Sequence, residues 1–191
     1  QKIASSSTTK GITIYSVKDG SNFDISIHIS SDNFKAIKHT IEGLALNTWH
    51  HVAFVYERAK SEKVLGYVNG ILESSTVNER GELDNIHMGD GTILMGRAIT
   101  HQSHADTSGP DTSVYFRGLI DEFRVWSTIR TKDQIYNNMH RNIDAQSYLN
   151  LYYRFNEPTA ATTYQAKSIV LDYSGNALHT VIGNLTAALN L

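Results

Sequence analysis

The chain has 191 residues, with 17 Lys and Arg against 19 Asp and Glu, no cysteine, ten tyrosines and only two prolines. Balanced charge without a basic stripe excludes nucleic acid as an expected partner, and no apolar run approaches the ~20 residues of a membrane helix. Without cysteine, thiol catalysis, zinc–thiolate sites and disulfides are out, which leaves burial and hydrogen bonding to hold one sizeable core but names no compartment.

Residues 4–9 read as a loose polar lead-in. Gln1 opens directly onto Ser/Thr-rich sequence without a charged-then-apolar leader, as expected of a processed product or a piece of a larger, multidomain chain. From Gly11 to Val17 the residues alternate, Ile12, Ile14 and Ser16 against Thr13, Tyr15 and Val17, which predicts a strand. Asp19-Gly20 marks a hairpin tip. In the next strand Phe23, Ile25, Ile27 and Ile29 are expected to face inward, and Asp24, Ser26, His28 and Ser30 outward. Ser31-Asp32-Asn33 turns again, and residues 34–41 form a weaker strand.

The stretch from Asn47 to Gly70 reads N-T-W-H-H-V-A-F-V-Y-E, then K-V-L-G-Y-V-N-G, two strands joined by a polar turn from Glu57 to Lys63. Trp49, His51, Ala53 and Val55 fall on one face; His50, Val52, Phe54 and Tyr56 fall on the other. Bulk on both faces predicts a central strand covered on each side. Trp49 and Trp126 lie in apolar patterns and are expected in the core, with His50 and His51 structural. Asn69-Gly70 is a tight-turn pair, since both residues tolerate φ > 0.

Beyond it, Ile71–Val77 is extended and residues 78–84 form a charged loop. Ile93–Ala98 is a strand, and Thr100–Ser113 is the longest polar stretch, of the length that is either functional or disordered. Val114–Phe116 and Leu119–Trp126 return to strand. Thr131 and Gln134 have capping-box spacing, and Ile135, Met139 and Ile143 form one stripe, which predicts one short helix over 131–141. Leu149–Phe155 is a strand, and Leu171–Asn176 a turn.

W-H-H-V-A with Y-V-N-G, then I-L-M-G-R at 93–97 and G-L-I-D-E-F-R-V-W at 118–126, resemble in order and spacing the laminin-G-like, concanavalin A-like jelly-roll domains, a group that includes relatives of the pentraxins. The resemblance covers about residues 10–145. It implies an all-β fold, a two-sheet antiparallel β-sandwich, with the one helix at its edge. One block is displaced. A strand of the type L-x-Y-x-F-x-E followed by D-x-S-G-N normally opens such a domain, whereas here it occupies residues 151–176. The chain is therefore expected to divide into a sandwich at 1–148 and a block at 149–191. That block begins a second, truncated repeat, closes a permuted domain, or pairs with a neighbouring chain. In each case a sandwich without its first strand has an open edge.

Some jelly rolls are glucan hydrolases with acids at alternate strand positions. The nearest run, with Glu79, Glu82 and Asp84, is interrupted by Gly81 and ends without the further acid, so it reads as a solvated tip and no enzyme is expected. His101, His104 and Asp106 have the donor types for a transition metal, but loop histidines are usually solvated. The resemblance points instead to calcium, which needs six to eight oxygens. Its D-x-S-G-N turn supplies Asp172 and Asn176, and its I-D-E segment supplies Asp121; the alternative is an ordinary turn held by its own side chains. The Asn184-Leu185-Thr186 sequon is too common a triplet to use.

The expected function is a non-catalytic extracellular or surface-exposed recognition or adhesion module. It would bind glycan or protein through rim loops at 78–90 and 100–113, bearing Asn78, Glu82, Asp84, His101, His104 and Asp106. The alternative is a structural assembly module, a subunit of a virion, tail fibre or surface layer, completed by strand pairing with a neighbour.

Overall fold

Two turns that only small or amide side chains accommodate set up both sheets of the first unit. In the computed structural model, which describes residues 11–31, 36–58, 63–77, 83, 95, 116, 118–157 and 169–181, β1 (Gly11–Asp19) and β2 (Asn22–Ser30) pair antiparallel across a two-residue turn with Gly20 at φ 57°. β3 (Ala36–Ala45) pairs with the other side of β2, giving the order β1-β2-β3. The register slips between Phe23 and Ile25, so that Glu42 and Gly43 together oppose Asp24, whose Oδ1 accepts the Gly43 N–H at 3.0 Å.

The second sheet has the order β4-β5-β6, from β4 (Val52–Glu57), β5 (Lys63–Val68) and β6 (Ile71–Val77). Asn69 at φ 50° and Gly70 at φ 77° supply the two left-handed positions of the β5–β6 turn. The Asn69 side chain also accepts the His51 N–H at 3.0 Å, tying the turn to the chain entering β4. Lys63 and Glu57 pair at 2.9 Å across the β4–β5 hairpin, a half-exposed bridge worth at most about 1 kcal/mol.

β5 shows why the layers stack as they do. Val64 packs with Ile27, Ile29, Ile37 and Leu83, and Val68 with Ile41 and Leu44, so one face of β5 meets the first sheet. Tyr67 lies on its other face and packs with Val55 and with Ile135 of the helix α1 (Lys132–Asn138). The expected cover on both faces of this hairpin is present. Among the described residues, however, β5 is the middle strand and β4 lies at the end of its sheet.

This unit comprises Gln1–Arg117 and Thr131–Met139; Gly118–Arg130 and His140–Leu191 form a second unit, inside which the expected boundary at residue 148 falls. In the second unit β7 (Phe123–Trp126) pairs antiparallel with β8 (Leu149–Tyr153), and β9 (Ile169–Val170) with β10 (Thr180–Val181). The displaced block thus pairs with a strand of its own chain. The architecture is mostly antiparallel strand with a single short helix among the described residues, consistent with the expected all-β sandwich.

Three expectations are corrected. Ser26, His28 and Ser30 are buried, not outward; the Ser26 hydroxyl is satisfied by that of Thr40 directly opposite, at 2.8 Å. The helix ends at Asn138 with Met139 as its cap, leaving Ile143 outside it. Trp49 is not core: it sits in the connection before β4 and is 64% exposed.

Candidate functional site

His39 sits midway along β3, between the two apolar clusters of the interlayer core, and is 2% exposed. Room for its ring comes from β5. A side chain at Gly66 would collide with His39 Nε2 and would meet Ile41 Cγ1 at 2.9 Å. Across the layer, β6 supplies two hydroxyls: His39 Nδ1 lies 2.8 Å from Thr76 Oγ1, and Nε2 lies 3.2 Å from Ser74 Oγ. The Phe54 ring packs edge-on at 6.0 Å. Burial pushes the imidazole pKa below its ordinary value, so it is held neutral, with one nitrogen donating and the other accepting.

Beside this bridge opens a groove of about 350 Å³ lined by Thr40, Ile41, Glu42, Glu73 and Ser74. Both carboxylates stand at β-bulges. Glu42 belongs to the doubled pair opposite Asp24, and Glu73 is the extra residue where the β5–β6 register slips between Gly66 and Tyr67. Bulges re-aim side chains away from the regular alternation.

Trp49 lies in the β3–β4 connection. The neighbouring His50 anchors that connection, with Nε2 3.0 Å from the Ala45 carbonyl and its ring edge-on to Phe23 at 6.0 Å. The backbone beneath Trp49 is held while the indole itself stays open. Trp126, in the other unit, is half-buried under the Arg130 guanidinium, 4.1 Å from its ring.

The D-x-S-G-N turn is closed on itself. Asp172 Oδ1 accepts the N–H groups of Tyr152 at 3.0 Å and Ser174 at 2.9 Å. Its Oδ2 accepts the Ser174 hydroxyl at 2.8 Å and the Leu178 N–H at 3.0 Å. Burial alone would raise the carboxyl pKa, but the donors from Ser174, Leu178 and Tyr152 outweigh it and hold it below its ordinary value. Asn176 Nδ2 donates to the carbonyls of Leu149 at 2.9 Å and Asn150 at 3.1 Å. Asp121 Oδ1 accepts the Glu122 N–H at 2.9 Å. Two donors on each oxygen occupy the lone pairs of Asp172. No group of three His, Cys, Asp or Glu side chains suited to a metal occurs among the described residues. The expected loop residues Asn78, Glu82, Asp84, His101, His104 and Asp106 lie outside them, as does Glu79.

Sequence reasoning missed the His39 bridge, hidden in the strand with the weakest pattern. It also missed Glu122, adjacent to Asp121. Glu122 sits at φ 53° and accepts from the Tyr152 hydroxyl and the Arg124 guanidinium, with Arg154 Nε 3.9 Å away. Arg124 and Arg154 lie over the rings of Tyr152 and Tyr173, at 4.8 and 4.9 Å. Burial, and then the bond to Glu122, push the Tyr152 pKa up. Tyr152 is fully buried, so this network is an internal tie between β7, β8 and the turn after β9.

No curated protein matches the sequence. Among solved structures, a candidate carbohydrate binding protein from Bacteroides ovatus is similar in fold, with a TM-score of 0.58 at 20% identity; the match covers 91% of this chain and 47% of that one, so the chain spans about half its length. An S-layer domain-containing protein from Clostridium thermocellum is matched over 69% of this chain and 64% of its own, at 19% identity and a TM-score of 0.38. Residues 1–136 match the family described as the concanavalin A-like lectin/glucanases superfamily, and on that match over most of its length the chain belongs to this superfamily.

Proposed function

We propose that this chain is a non-catalytic recognition module that binds saccharide, with Trp49 as a stacking platform. The observation that carries the reading is the 64% exposure of Trp49 on an anchored connection. An indole offers a large rigid apolar face and one polar N–H, which suits the C–H face and hydroxyl rim of a sugar ring. Membership of a superfamily of lectins and glucanases, and a fold shared with a candidate carbohydrate binding protein, support it. A module of this kind works at a cell surface or outside the cell, and the loops at 78–90 and 100–113 would widen its contact with glycan or protein. Affinity electrophoresis through gels containing polysaccharide tests it. Retardation of the parent chain and loss of retardation in Trp49→Ala are expected; equal retardation of both removes Trp49 from the reading. A polysaccharide hydrolysis panel, run with and without Glu82→Gln, is expected to be silent.

One observation favours a second reading, assembly by strand pairing. β1 has a strand partner on one side only among the described residues, and exposes Ile12 (45%), Ile14 (48%) and Val17 (52%). Such an edge invites another strand. Light scattering behind size-exclusion chromatography separates the readings, since assembly requires a mass that rises with concentration.

A further inference from the structure

Asn69-Gly70 is the one Asn-Gly pair in the sequence, and its chemistry is at odds with its geometry. Glycine has no side chain to shield its amide nitrogen, so that nitrogen can attack the asparagine side-chain carbonyl. Hydroxide takes the Gly70 amide proton, and the nitrogen bonds to Asn69 Cγ. The Cγ–Nδ2 bond breaks, and ammonia leaves with a proton from water. Water then opens the five-membered imide. Attack at the side-chain carbonyl leaves aspartate at position 69; attack at the main-chain carbonyl leaves isoaspartate, whose backbone runs through Cβ and Cγ. Ring closure requires Gly70 N and Asn69 Cβ to lie on the same side of the Cα–C bond. Asn69 at φ 50° is in the left-handed region, where ψ of about +47° puts them on opposite sides.

We infer that Asn69 is a modification site that the native turn keeps silent: opening of the β5–β6 turn exposes it to deamidation, and the isoaspartate formed bars the turn from closing again. Rotation about ψ is resisted on three sides. The Asn69 N–H donates to the His51 carbonyl at 2.8 Å, and Asn69 Oδ1 accepts the His51 N–H at 3.0 Å. Gly70 is buried against α1, where a Cβ would meet the Tyr136 ring at 2.7 Å and its Cα at 2.9 Å. Val68 and Ile71 pair on either side of the turn, and Val68 is fixed among Ile41 and Leu44. Asn69 itself is exposed, so water and hydroxide reach it once the turn opens. Isoaspartate lengthens the backbone of a two-residue turn whose φ values are already set by the twist of its strands. The clamp on His51 and the packing on Tyr136 are then lost together. The site thus converts a transient local opening into a permanent one, at a rate governed by how often the hairpin opens.

The test incubates the whole chain at mildly alkaline pH, folded and in denaturant, and follows position 69 by peptide mass spectrometry and enzymatic methylation of isoaspartate. Ammonia loss at least about tenfold slower in the folded chain is expected, since only the open fraction reacts. Tyr136→Ala, which removes the ring beneath Gly70, should speed the reaction severalfold in the folded chain and leave the denatured rate unchanged. Equal rates in the folded and denatured parent chain overturn the inference. After removal of denaturant, the isoaspartate chain should melt below the parent. Asn69→Asp carries the same charge on an ordinary backbone, and its carboxylate can still accept the His51 N–H, so it should melt close to the parent. An isoaspartate chain that melts with the parent, or an Asn69→Asp chain that melts as low as the isoaspartate chain, also overturns the inference.

Discussion

A neutral imidazole enclosed between two sheets makes the first unit sensitive to acid. The folded pKa of His39 lies below that of the unfolded chain, so below ~6.5 the unfolded state binds the extra proton. Stability of this unit is therefore full above ~6.5 and declines as pH falls towards the lowered value. Denaturant midpoints at pH 7 and pH 5 measure this, and His39→Gln should flatten the difference. Gly66→Ala should destabilise by about 2 kcal/mol, because the imidazole and Ile41 would have to move. In the second unit Asp172 titrates with the same sign but lower: its contribution is full above ~4 and is lost as pH falls through its depressed folded value. Asp172→Ala strands the N–H groups of Tyr152, Ser174 and Leu178 and should destabilise by roughly 3 kcal/mol in denaturant titration. The D-x-S-G-N motif was legible as a turn. Which atoms its carboxylate would serve was not, because three of its four donors come from backbone groups whose positions no side-chain pattern encodes.

At the level of elements, the helix start was the most legible feature. Thr131 and Gln134 form the reciprocal pair, with Gln134 N–H on Thr131 Oγ1 at 3.3 Å and Thr131 N–H on Gln134 Oε1 at 3.0 Å. Thr131→Ala should destabilise by about 1 kcal/mol in thermal or denaturant unfolding. The helix end was not legible, since the Ile135–Met139–Ile143 spacing continues past Asn138 while the backbone does not. Gly70 serves both the β5–β6 turn and this helix: its φ is 77°, and a Cβ there would meet the Tyr136 ring at 2.7 Å. Two bulges, at Glu42 and Glu73, escaped the sequence altogether. Period-two alternation assumes that each residue faces one partner, and a bulge breaks that count without any required residue type.

For the whole molecule, the prediction concerns calcium. With both Asp172 oxygens engaged by donors of the same unit, addition of calcium or chelator is expected to leave the melting temperature unchanged. A calcium-dependent rise of several degrees would show that the turn opens to take the ion, with Asp121 and Asn176 as the remaining candidates. The pairing of β7 with β8 places the Phe123–Trp126 strand, part of the last motif block at 118–126, against the displaced block. The linear order of the blocks raised that question; only the hydrogen-bond register between Phe123 and Tyr153 gives the strand a partner.

The sequence by itself determined the strand-rich class, the turns at Gly20 and Asn69-Gly70, the helix cap, and the superfamily, because each depends on side chains close together in the chain. Only the tertiary structure decided that β2 is buried on both faces from Ser26 to Ser30, that Trp49 is open, and that Gly66, His39 and Ser74 meet across two layers. Those outcomes depend on which strands become neighbours, and burial is a property of the neighbours as much as of the residue itself.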